Sequence, residues 1–150
     1  MIKPNVTIMK KSILMLLLFL GSTLALQAQG VVGKWKTIDD KTGKEKSIVE
    51  IFEKNGKYYG KVLKLLNPSK ANPTCDNCTG SDKGKPIEGL VIIRDLEMKG
   101  NNELTGGKII DPESGKEYKC SIKLNGTDKL DVRGFVGFSL LGRTQTWIRG

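Results

Sequence analysis

The chain is 150 residues long, with 38% hydrophobic and 27% charged residues, 25 Lys and Arg against 16 Asp and Glu, a formal charge of +9, and no histidine. Without imidazole, the Ser-His and Cys-His nucleophile arrangements, the commonest general base and most zinc and copper sites are excluded. The basic excess favours anionic partners such as a membrane surface with acidic headgroups or a carboxylate ligand, and the lysines are scattered along the chain, which does not point to nucleic acid.

Lys10 and Lys11 precede an apolar run over residues 13–20, and Gly21-Ser22-Thr23 and Ala25-Leu26-Gln27-Ala28 follow. A basic n-region, a short apolar core and a small residue before the cut describe a secretory signal peptide over residues 1–28, with cleavage expected after Ala28 and either Met1 or Met9 as the start. The run is too short for a membrane span, which needs ~20 apolar residues. No cysteine lies near the cut, which argues against a lipid anchor. Loss of Lys3, Lys10 and Lys11 takes the charge from +9 to +6. Residues 29–150 then form one periplasmic or secreted domain of ordinary size.

From residue 33 onward, short β-like runs alternate with turn signals, and no long amphipathic helix appears. Residues 33–38 read as the first strand, closed by the turn Asp39-Asp40-Lys41-Thr42-Gly43. Residues 47–53 form the second, followed by Asn55-Gly56, the strongest short hairpin signal. Residues 58–66 are the third, and 67–86, rich in Gly, Pro, Asn, Asp and Ser, a long loop. The fourth strand is expected over 87–94, with 95–102 a turn or single helical turn, and the fifth over 104–110, where Gly106-Gly107 signals a bulge or close packing. Asp111-Pro112-Glu113-Ser114-Gly115 is a turn. Residues 117–124 alternate cleanly, with Tyr118, Cys120, Ile122 and Leu124 on one face. After Asn125-Gly126, Leu130, Val132, Gly134, Val136 and Phe138 share a buried face of the next strand, and residues 143–149 close the chain.

Eight strands at regular spacing describe an all-β chain, a single antiparallel β-barrel or sandwich. Trp35 in the first strand and Trp147 in the last suggest that these two strands pair, removing the open edges.

Few residues could carry chemistry. Asp39-Asp40 and Asp111 with Glu113 are paired carboxylates, but they sit where turns use side chains to hold backbone N–H groups. Cys75-Asp76-Asn77-Cys78 is a C-x-x-C pair, yet loop sequence follows it where a redox enzyme would start a helix. A disulfide between Cys75 and Cys78 is expected, with Cys120 free on an apolar face; the alternative joins Cys120 to Cys75 or Cys78. No metal site and no cofactor is expected. Arg143, Gln145, Trp147 and Arg149 share a face of the last strand, either as a cap over the core or as ligand contacts. An Arg stacked on an indole suits the cap.

With those residues in view, the chain resembles the DUF2147 family of exported bacterial proteins. The resemblance is carried by Gly33-x-Trp35-x-Thr37, Asp39-Asp40, Thr42-Gly43, Tyr59-Gly60-Lys61, the Cys75/Cys78 loop and Pro86-Ile87-Glu88-Gly89. It continues through Gly106-Gly107, Asp111-Pro112-x-x-Gly115-Lys116-x-Tyr118, Arg133-Gly134 and Arg143-Thr144-Gln145-Thr146-Trp147-x-Arg149. Phe135 stands where a Tyr is expected. The resemblance implies a calycin or lipocalin-like barrel in which a C-terminal Arg, here Arg149 or Arg143, crosses Trp35; it transfers no catalytic residue. The expected function is binding of a small amphipathic or anionic molecule without catalysis, with Trp35, Tyr59, Tyr118, Arg133, Phe138, Arg143, Trp147 and Arg149 as candidate ligand contacts. An envelope protein-interaction module with a filled core is the second expectation, and a thiol redox protein the third.

Overall fold

A computed structural model describes residues 30–137 and 141–150. Eight antiparallel strands follow one another around a closed barrel: β1 (Gly33–Ile38), β2 (Glu45–Lys54), β3 (Lys57–Leu65), β4 (Val91–Met98), β5 (Glu103–Ile110), β6 (Glu117–Asn125), β7 (Lys129–Phe135) and β8 (Gly142–Arg149). The β2–β3 hairpin turns through Asn55 and Gly56 at φ 53° and 78°. Positive φ at both central positions is what a two-residue hairpin matched to strand twist requires. In the first turn, Asp39 accepts from the backbone N–H groups of Lys41 and Thr42, and Asp111 does the same for Glu113. Both carboxylates thus hold their own turns.

The expected closure is present. β8 pairs with β1 antiparallel, Trp35 opposite Arg149 and Lys36 opposite Ile148. Inward alternation then buries Trp35, Val49, Ile51, Val62, Ile93, Leu96, Leu104, Cys120, Ile122, Leu130, Val132 and Trp147 in one core. Two glycines let the wall pack closely. A Cβ on Gly107 would overlap the backbone of Arg94 and Leu96, and one on Gly60 would press on Ile93 and Ile51 at 3.0 and 3.2 Å.

Two elements differ from the sequence expectation. The fourth strand starts at Val91 and continues through Met98, so residues 95–98 are strand and not turn. Asp95 adopts φ 59° inside it, and the β3–β4 register shifts around it, between Gly60↔Ile93 and Tyr58↔Leu96. A left-handed Asp suits a turn or a bulge equally, and here it makes a bulge. Secondly, β7 stops at Phe135, paired with Gly142, so Val136 leaves the wall and is half exposed instead of lying in the core. Phe138 lies outside the described residues, as does the expected leader.

Residues 66–90 form a strap across the outside of the barrel. Its backbone joins the wall where Val62 N–H donates to Leu90 O and Gly89 N–H to Val62 O. Its Ile87 and Leu90 are buried, together with Ile92 and Ile110 of the wall. The Cys75–Cys78 disulfide forms as expected, and Cys120 is free and buried.

Candidate functional site

The two ends of the barrel are built differently. At one end the chain entering β1 folds under the core. The Trp35 indole N–H donates to the Val31 carbonyl at 2.9 Å. The Arg149 guanidinium lies 4.1 Å from the Trp35 ring centroid and donates to the carbonyls of Thr127 (2.8 Å) and Gly30 (3.0 Å). A cation over an indole that also satisfies two carbonyls closes this end.

The opposite end, bounded by the β1–β2, β3–β4, β5–β6 and β7–β8 connections, is the more polar. Thr37 and Ser47, both buried, share a 2.7 Å hydroxyl contact. Gly134 of β7 continues the inward face of Leu130 and Val132, beside Tyr118 and Ile109. A Cβ built on it would meet those side chains only at 3.5 Å, an ordinary contact. Crowding therefore does not demand glycine there: a methyl group would sit in ordinary contact with its neighbours.

At the same end lies a chain of polar contacts. Trp147, 2% exposed, donates its indole N–H to Gln145 Oε1 at 3.3 Å. An indole nitrogen only donates, so Gln145 must turn its carbonyl to Trp147 and its amide N–H outward. That Nε2 donates to Asp40 Oδ2 at 2.7 Å, and Arg143 reaches the same oxygen at 3.0 Å. Arg143, Gln145 and Trp147 are alternate residues of β8, on the side turned to the interior.

The strap carries a second cluster. Asp82, 6% exposed on the short 3-10 turn Gly80–Asp82, accepts from Arg94 at 2.6 Å and contacts Lys85 at 3.4 Å. The hydrogen bond from Arg94 is the main cause holding the Asp82 carboxyl below its ordinary range. Asp82 and Arg94 line two shallow depressions of about 240 Å³ each. Asn77 Nδ2 donates to the Glu113 carbonyl and its backbone lies against Gly115, docking the disulfide loop on the β5–β6 turn. Burial pushes the Cys120 thiol up to about 12, where it stays protonated and unreactive. Among the described residues no group of three or more His, Cys, Asp or Glu side chains is placed to hold a metal ion.

The candidate ligand contacts are spread around the barrel. Trp35 and Arg149 occupy the closed end, Trp147 the core, and Tyr118 and Arg143 the open end. Tyr59 lies on the outer wall, stacked on Phe52 at 5.8 Å with its hydroxyl on Asp95. Arg133, alternating with buried Val132, also faces outward, with Thr144 as partner. Of the candidates among the described residues, Tyr118, Arg143 and Trp147 lie towards the open end. Sequence reasoning missed Asp40 as their partner and the Asp82–Arg94 pair. A signal for Asp40 existed: one carboxylate of Asp39-Asp40 suffices for the turn, leaving the other to act elsewhere.

Residues 33–149 match the model of a family described as an uncharacterized protein conserved in bacteria, DUF2147. Among solved structures the chain is similar to HP1028 from Helicobacter pylori, described as belonging to the lipocalin family. The two share 27% identity and superpose with a TM-score of 0.71, over 80% of this chain and 82% of that one. No curated protein matches the chain.

Proposed function

The chain belongs to the DUF2147 family, and from that premise we propose that it is an exported, non-catalytic carrier that binds a small amphipathic molecule at the open end of its barrel. The observation that carries this reading is Gly134. It is an inward-facing glycine beside Tyr118 and Ile109 that neither backbone conformation nor crowding requires, at the mouth of a barrel whose other end is sealed by Arg149 and Trp35. Barrels of about eight strands can hold one small ligand. The likeness to a protein described as a lipocalin agrees with it. A disulfide in a small domain fits an oxidising compartment.

Protein purified from its own host, extracted with organic solvent and analysed by mass spectrometry, should release one amphipathic species in stoichiometric amount. Gly134→Leu, which adds a bulky side chain at the mouth, should retain the fold by circular dichroism and lose that species. An empty extract from the native protein, or an unchanged one from the Leu variant, would overturn the reading.

A second reading is favoured by Val136 and Leu141, which stand 50% and 70% exposed at the β7–β8 connection. Two exposed apolar side chains so placed suit contact with another envelope protein. A photo-crosslinker at position 141 would then capture one specific partner in cells.

A further inference from the structure

The barrel seam is not closed by ladder pairing along its length. Among the described residues, β1 and β8 are register partners at Trp35↔Arg149 and Lys36↔Ile148, and Gly150 N–H donates to Lys34 O at the closed end of the seam. Nearer the mouth, side chains cross the gap: Asp40, from the β1–β2 turn, reaches Gln145 and Arg143 of β8. The turn itself is held by Asp39, so Asp40 is not needed for its shape. One donor is oriented independently of Asp40, because the buried Trp147 N–H holds Gln145 Oε1 and directs Nε2 outward. Two convergent donors, one cationic, therefore select an anionic acceptor at the rim of this end of the barrel. In this structure the acceptor is the protein's own carboxylate.

We propose that Asp40 is a built-in competitor. The Arg143–Gln145 pair is the head-group site for a single-chain carboxylate, whose acid end displaces Asp40 and releases the seam while its chain enters beside Tyr118 and Gly134. This rests on the reading of the open end as a ligand site and adds the ligand class and the group it displaces. Displacement is within reach, because Asp40 and Arg143 side chains are 40% and 74% exposed and an exposed ion pair holds only weakly.

The test is calorimetric titration of the mature protein with sodium dodecanoate and, separately, with dodecan-1-ol, both below aggregation. Asp40→Ala should tighten dodecanoate by about two- to fivefold, what losing an exposed competing pair is worth. Arg143→Gln should weaken it by at least as much. Neither substitution should move dodecanol. If Asp40→Ala tightens both probes alike, the seam has merely loosened and the head-group assignment fails. If both probes bind and neither substitution changes either, the assignment fails while ligand binding stands. If neither probe binds the native protein or Asp40→Ala, both readings fall together.

Discussion

The guanidinium of Arg149, next to the last residue, lies over the indole of Trp35, near the start of the first strand, at 4.1 Å from the ring centroid. The two residues are also register partners across the seam, so one side chain joins the ends of the chain twice: by its strand and by its cation. The pairing between β1 and β8 is short, so this contact adds directly to the closure.

Arg149→Ala should therefore destabilise the barrel by about 1–3 kcal/mol, the sum of a partly desolvated cation–π contact and hydrogen bonds to two carbonyls. Arg149→Lys keeps the charge but not the planar fork that serves Thr127 and Gly30 together, and should recover less than half of the loss. Urea unfolding followed by tryptophan fluorescence measures both.

The thiols give a two-part expectation. Peptide mapping without reduction should find Cys75 linked to Cys78 and Cys120 unlinked. Cys120, with its thiol pushed up to about 12 by burial, should resist iodoacetamide at pH 8 in the folded protein and react at once in denaturant. Replacing Cys75 and Cys78 by Ser should cost about 2 kcal/mol, the chain-entropy value for so short a loop.

Asp82 should make stability depend on acid. Its folded pKa is lowered, first by the hydrogen bond from Arg94, so its contribution is fully present above the unfolded value. The contribution is lost as pH falls from about 5 through the depressed folded pKa. Asp82→Asn should lower stability at pH 7 by about 1–2 kcal/mol, the low end for a charged hydrogen bond because Arg94 stays a third exposed. It should also flatten the acid limb. Thermal melts of both forms from pH 7 to pH 3 check the sign; a parallel acid limb in the Asn variant would contradict it.

Two inward glycines should respond oppositely to one methyl group. Gly107→Ala drives a Cβ into the backbone of Arg94 and Leu96, and should cost about 1–3 kcal/mol as overpacking does. Gly134→Ala meets only ordinary contacts at 3.5 Å, and should be neutral or stabilise by up to ~1 kcal/mol, since alanine has less chain entropy to lose in a strand. Paired denaturation curves give the comparison.

The sequence by itself determined the barrel. Period-two alternation in β6 and the start of β7, turn residues such as Asn55-Gly56, and a Trp in each terminal strand specify strand number, order and closure, because these signals act within a few residues or repeat along the chain. The Cys75–Cys78 pairing was legible for the same reason. The tertiary structure alone decided whether Asp95 made a turn or a bulge, since a left-handed Asp suits both. It also decided that Val136 left the wall, since alternation does not say where a neighbouring strand stops pairing. The clustered charges belong there too. Asp40 meets Gln145 across 105 positions of sequence, and Asp82 is buried only because the strap folds back onto Arg94. An ion pair depends on distance and solvent exclusion, and neither is written in the spacing of residues that closure alone brings together.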